Sequence, residues 1–314
     1  MNIHRKLIFK MWNMIREGDA ERKSKQTPTK GIEEINNLAY IDDGERMHLL
    51  DIYYPEGTKE KLPVIIDIHG GGWVYGDKEL NKYFCLDIAS RGFAVVNISY
   101  RLVPDATVFG QVQDIFAALH FIEENASKYP LDMNNVFLVG DSAGGHLASL
   151  TTAVNLSKEY SAVYDVKPVL FPIRAVGCIC AVTNMDMFLK SPVPLLRQYG
   201  KMMFGKNLRD RRLYYTSFKN LVSVKNLPPF YLVSSKQDIY NFQSLHLDRV
   251  LTENNREHMF RYWGKIKERA LPHVFNVTNP EFPQSKETND EMTEFFRSYM
   301  VENKKEKTKV KTEK

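Results

Sequence analysis

Ser142 stands in the run Gly140-Asp141-Ser142-Ala143-Gly144-Gly145, between the apolar stretch Asn135-Val136-Phe137-Leu138-Val139 and a small-residue stretch that opens His146-Leu147-Ala148. The apolar stretch reads as a buried strand and the small-residue stretch as a helix. A G-x-S-x-G turn between the two leaves a serine hydroxyl exposed, because glycines allow the sharp turn while the serine backbone is held under strain. Turns collect glycine and serine, so this pattern alone is weak. Context comes from Leu62-Pro63-Val64-Ile65-Ile66-Asp67-Ile68, a second strand candidate that runs into His69-Gly70-Gly71-Gly72-Trp73. A glycine loop there presents bare backbone amides, and acyl transfer needs such donors: removing one costs roughly 3 to 4 kcal/mol of barrier. Gly71, Gly72 and Ala143 are the expected oxyanion donors.

A serine hydroxyl is a poor nucleophile at neutral pH, so a histidine must take its proton and a carboxylate must hold that histidine. For a serine on a strand-to-helix turn, acid and base follow in sequence, each on a loop after a late strand. Pro229 to Ser235 reads as such a strand and Lys236-Gln237-Asp238 follows it, which selects Asp238 as the acid. Asp186, after the strand candidate 175–183, is the alternative. The next strand candidate, 258–263, leads through a charged turn to Leu271-Pro272-His273, which selects His273 as the base. His146 lies four residues after Ser142 on the same expected helix, which points it along that helix and gives it a structural role. His246 and His258 lack a loop context, and Asp248 falls on a solvated helix face.

His69-Gly70-Gly71-Gly72-Trp73, then Asn97-Ile98-Ser99-Tyr100-Arg101-Leu102 with Pro104, then Gly140-Asp141-Ser142-Ala143-Gly144-Gly145-His146 resemble the hormone-sensitive-lipase-like esterases of the α/β-hydrolase superfamily. The likeness runs from about Ile41 to about Met300. It implies a serine carboxylesterase with Ser142, His273 and Asp238 as catalytic triad and Gly71, Gly72 and Ala143 as oxyanion hole. The chain departs from the group's frequent Asp-Pro-Leu and His-Gly-Phe with Asp238-Ile239-Tyr240 and His273-Val274-Phe275. Trypsin-like proteases also carry Gly-Asp-Ser-Gly-Gly, but they place histidine and aspartate ahead of the serine and are built from antiparallel strands. An amidase or arylformamidase on the same triad, and a catalytically silent binding protein on the same fold, are the other readings.

The elements that must position these residues alternate. Strands are expected near 46–54, 62–69, 92–100, 135–140, 173–183, 229–235 and 258–263, with helices near 80–90, 109–127, 143–157, 241–255 and 287–300. That pattern predicts a mostly parallel sheet with helices on both faces, which the resemblance makes an α/β-hydrolase fold with a small helical cap. The hydrolase domain is placed at 41–300, after an N-terminal helical or cap segment at 1–40 and before a disordered lysine-rich tail at 301–314. The alternation breaks at 184–227, the expected cap insertion, where Phe188, Leu195, Tyr199, Met203 and Phe204 are available to a pocket. Trp73 and Tyr75 beside the glycine loop, with Phe188, are the expected substrate contacts.

Leu7, Ile8, Met11, Trp12 and Ile15 recur at helical spacing in a basic N-terminal stretch that lacks the apolar core and cleavage site of a signal peptide. A helix folded onto the cap is the first reading, and a membrane-surface helix the second. The 314 residues hold 43 Lys and Arg against 38 Asp and Glu, a net charge of +5. The excess sits at the two ends, so a basic nucleic-acid groove is not implied. Three cysteines, Cys85, Cys178 and Cys180, exclude a disulfide framework and suit a reducing cytoplasm. No metal and no cofactor are expected. The expected partner is a small-molecule ester, with room for a homodimer and without nucleic acid or stable membrane association.

Overall fold

The computed structural model describes residues 3–302; the lysine-rich tail beyond them lies outside the described residues. The chain opens with helix α1 (Ile3–Ser24), then strands β1 (Ile32–Ala39), β2 (Leu49–Pro55) and β3 (Leu62–Ile68). Helix α2 (Lys82–Ala89), β4 (Ala94–Ile98), α3 (Val108–Asn125), β5 (Leu131–Asp141), α4 (Ala143–Leu156), α5 (Lys158–Tyr164) and β6 (Ile173–Ile179) follow. Three short helices, α6 (Asp186–Leu189), α7 (Pro194–Phe204) and α8 (Phe218–Leu221), interrupt the alternation. It resumes with β7 (Phe230–Ser235), α9 (Asn241–Glu253), β8 (His258–Trp263), α10 (Phe275–Thr278) and α11 (Pro283–Ser298).

The eight strands form one sheet in the order β1-β2-β4-β3-β5-β6-β7-β8. β1 and β2 are antiparallel to their neighbours, and every pairing from β4 to β8 is parallel. Parallel strands need crossovers, and the helices that supply them cover both faces. Successive residues therefore enter different cores: Val64 and Ile66 pack with α3 and α4, whereas Ile65 packs with α2 and with Phe296 of α11. The central strands are apolar throughout because both of their faces are covered.

Four differences from the sequence reading have local causes. β1 falls within the segment expected to be helical; it is an edge strand whose polar residues are mostly exposed, so it carries little apolar signal. Residues 46–48 form a 3₁₀ turn capped by Glu45, which delays β2 to Leu49. β6 ends at Ile179 because Cys180 turns to φ +48°. α5 was not expected; the Ser157 side chain caps it by accepting from the Tyr160 amide, and Asp165 closes it in the left-handed region.

Candidate active site

β5 carries the chain to Ser142 and α4 carries it away. Between them Ser142 has φ 50° and ψ −113°, a conformation that L-residues avoid. It is clamped there by the end of β6 and the segment after it, as its amide donates to the Ile179 carbonyl at 2.8 Å and its carbonyl accepts from the Val182 amide at 3.1 Å. Gly144 makes the turn possible by close approach, since a Cβ at that position would overlap the Ile68 carbonyl. The turn aims the Ser142 hydroxyl into a cavity of about 520 Å³.

His273 sits on the loop after β8. Its Nε2 lies 2.9 Å from Ser142 Oγ and its Nδ1 lies 2.8 Å from Asp238 Oδ1. With Nδ1–H donating to the carboxylate, Nε2 is the acceptor for the serine proton. Asp238 is buried on the loop after β7, where its Oδ1 also accepts from the Tyr240 amide and its Oδ2 from the Ser234 hydroxyl. Burial acts to raise its pKa, but the hydrogen bond and charge of His273, with the two further donors, hold it below the usual carboxylate range. Gln237 ties the two loops, its Oε1 accepting from the Ile266 and Leu271 amides.

The glycine loop leaves β3 at its carboxyl end. Its carbonyls are turned into hydrogen bonds: Gly71 O accepts from the Val74 and Tyr75 amides, and Trp73 O from the Val103 amide and Gln111 Nε2. Gly72 O accepts from the Tyr199 hydroxyl of α7 at 2.7 Å, and that hydroxyl in turn accepts from Trp12 Nε1 of α1 at 2.9 Å. Gly72 has φ +57°, and a Cβ there would overlap the Trp12 ring and the Tyr199 hydroxyl. Gly71 and Gly72 line the cavity beside Ser142. Ala143 opens α4, so its amide is one of those at a helix start that have no partner within the helix.

Asp141, the unassigned residue of the serine motif, connects the two glycine segments. Its Oδ1 accepts from the Gly70 amide and from Asn81 Nδ2, both at 2.8 Å, and Asn81 also donates to Asp67. Burial, reinforced by the nearby Asp141, pushes Asp67 up to about 8. Only the fold discloses this link, because 71 residues separate Gly70 from Asp141.

Trp73, Tyr75 and Phe188 all line the cavity, as do Leu195 and Tyr199 of α7; Met203 and Phe204 are buried in the core instead. α1 supplies a wall that sequence reasoning did not assign, with Leu7, Met11, Trp12 and Ile15. Its helical apolar spacing was the available signal. The rival residues lie elsewhere. His146 is buried with Nε2 2.6 Å from the Thr216 carbonyl, and burial depresses its pKa to about 4. Asp186 pairs with Lys190 and Lys219, and Asp248 with His258. Among the described residues one group has metal-ligand proximity, Cys180 with Asp238 and His273, their ligand atoms within 4.8 Å of one another. There Asp238 Oδ1 and His273 Nδ1 already engage each other, an arrangement suited to moving a proton.

Known proteins similar to this chain are esterases and hydrolases. A family model described as BD-FAE matches residues 50–251. Crystal structures of esterase B from Lactobacillus rhamnosis are similar over almost the whole chain: an inhibited form has a TM-score of 0.90 at 31% identity, covering 95% of this chain and 97% of that one. The versiconal hemiacetal acetate esterase of Dothistroma septosporum is 27% identical over 75% of this chain and 73% of its own length. An isoprenylcysteine alpha-carbonyl methylesterase of Arabidopsis thaliana is 31% identical over 35% of this chain and 26% of its length. The chain spans less than a third of the length of the first curated relatives that it matches, 31% and 27%.

Proposed function

The chain belongs to the BD-FAE family of the α/β-hydrolase superfamily, and from that membership we propose that it is a serine carboxylesterase acting on short- to medium-chain esters. The observation that carries this reading is the unbroken chain from Ser142 Oγ through His273 to Asp238 at the floor of an apolar cavity. Ser142 Oγ attacks the ester carbonyl while His273 Nε2 takes its proton, and the amides of Gly71, Gly72 and Ala143 receive the oxyanion. His273 returns the proton to the departing alcohol, leaving an acyl-serine. It then deprotonates a water that releases the acid. Asp238 holds the imidazole in the required tautomer throughout. Trp73, Tyr75 and Phe188 form the wall against which the acyl or alcohol group packs.

The cavity volume favours modest acyl groups, and similarity to an esterase B captured with a tributyrin phosphonate supports the same range. Three buried free thiols suit the cytoplasm as the place of action. The test is hydrolysis of p-nitrophenyl acetate, butyrate, octanoate and palmitate by the purified protein beside Ser142→Ala. Turnover that declines on the longest chain, and falls roughly 10³-fold or more in the variant, is the expected result. Equal turnover by the variant refutes the assignment.

A further inference from the structure

We propose that the rim of the active-site cavity is a docking surface for an anionic lipid–water interface, on which the protein sits reversibly with the cavity mouth toward the lipid. One margin is α1. Ile3, Leu7, Met11, Met14 and Ile15 recur three and four residues apart, and all are exposed, Ile3 by 67% and Met14 by 65%. The other margin is the acid loop and the start of α9, where Ile239 is 75% exposed, Phe242 50%, and Leu245 is exposed as well. Leu7, Met11, Ile15 and Ile239 also line the cavity, so the exposed apolar surface and the mouth of the site are continuous. Scattered single apolar residues need no explanation, whereas exposed apolar side chains on two margins of a binding cavity do.

The stripe cannot turn inward, because the opposite face of α1 is already committed. Ile8 is buried, Trp12 is bonded to Tyr199, and Arg22 reaches the Thr278 carbonyl. Charge identifies the occupant. Residues 3–16 contain Arg5, Lys6, Lys10 and Arg16 and no acid, and the first acidic residue of the helix is Glu17. Lys6 and Lys10 each precede a stripe residue, Leu7 and Met11, so these exposed cations border the apolar face. On the other margin exposed Lys236 precedes the acid loop. Apolar side chains edged by lysines suit hydrocarbon beneath a layer of phosphate-bearing headgroups. A second copy of the chain fits less well, since a two-fold contact would set the cations of one α1 against those of the other. A single helical stripe of this kind gives reversible attachment.

The experiment is co-sedimentation of the full chain with phosphatidylcholine vesicles and with vesicles that also contain phosphatidylglycerol, in low and high salt. It is repeated with Met14→Glu/Phe242→Glu, two exposed positions that do not line the cavity. The expected result is binding to the anionic vesicles that is weakened about tenfold or more by salt, by omitting the anionic lipid, or by the double substitution. The melting temperature and the turnover of soluble p-nitrophenyl acetate stay unchanged in the variant. No binding to either vesicle overturns the proposal, as does equal binding by the variant, or equal binding to both vesicles. A dimer that the same substitutions dissolve, without vesicle binding, overturns it in favour of self-association. The readout is binding, so it stands or falls independently of the esterase assignment.

Discussion

At the scale of single residues, the backbone of Ser142 is a strained feature of the site. A non-glycine residue in that region costs on the order of 1–3 kcal/mol, and alanine there bears the same strain as serine. Ser142→Gly is therefore expected to melt above Ser142→Ala by a few degrees although both lack the hydroxyl, which thermal unfolding of the pair will check. Asp238→Asn tests the acid: an amide no longer selects the Nδ1–H tautomer, so kcat/KM should fall by about 10³ to 10⁴ while the melting temperature changes little. Asp186→Asn, removing only surface pairs with Lys190 and Lys219, should leave turnover of the same substrate unaltered. The sequence announced Ser142 through its glycines, and Asp238 and His273 through their order after late strands. Asp141 stayed hidden because its work is done by side-chain bonds to Gly70 and Asn81, distant in the chain.

At the scale of elements, the glycine loop is fastened to the body of the fold at Gly70 and Trp73 but to peripheral helices at Gly72. Tyr199 of α7 holds the Gly72 carbonyl and Trp12 of α1 steadies Tyr199. Removing a donor from a buried carbonyl costs about 1–3 kcal/mol. Tyr199→Phe is accordingly expected to lower kcat by roughly tenfold with a smaller change in KM, measured by steady-state kinetics on a short p-nitrophenyl ester; an unchanged kcat would show that the α7 bond to the glycine loop does not bear on turnover. The β3 and β5 strands were legible because both of their faces are buried, giving continuous apolar runs. β1 was not, since an edge strand with exposed Glu33 and Asn36 and half-exposed Glu34 reads like a loop. The course of α1 over the cavity was half legible: its apolar spacing marks a helix, while its position depends on contacts with α7 that no local pattern encodes.

At the scale of the whole molecule, buried ionisable groups set how stability follows pH. Burial lowers His69 and His146 to about 4, so between roughly pH 4 and 6.5 the unfolded chain binds protons that the folded chain refuses, and stability falls as pH falls. Asp67 acts oppositely: the unfolded chain ionises it near the usual carboxylate value whereas the folded chain keeps its proton up to about 8, so stability falls as pH rises through that range. Each group contributes at most about 1.4 kcal/mol per pH unit. The buried Asp141, also raised by desolvation, opposes the histidines in the same sense as Asp67, and the stability maximum lies where the histidine limb gives way to the carboxylate limb. Melting curves between pH 4 and 9 will locate it, and Asp67→Asn should flatten the alkaline limb; a wild-type curve without an alkaline limb would count against a protonated Asp67. The contact of Arg22 with the Thr278 carbonyl also bears on how the molecule is made. Its partners are separated by 256 residues, so at about 5–20 residues per second α1 waits roughly 13 to 50 s on the ribosome for its last support. In water most of a helix's stability comes from packing of its apolar face, and the face that Ile8 and Trp12 form on α1 is completed only once α7, with Tyr199, has been made. The rate of translation therefore governs how long this segment must be shielded from aggregation.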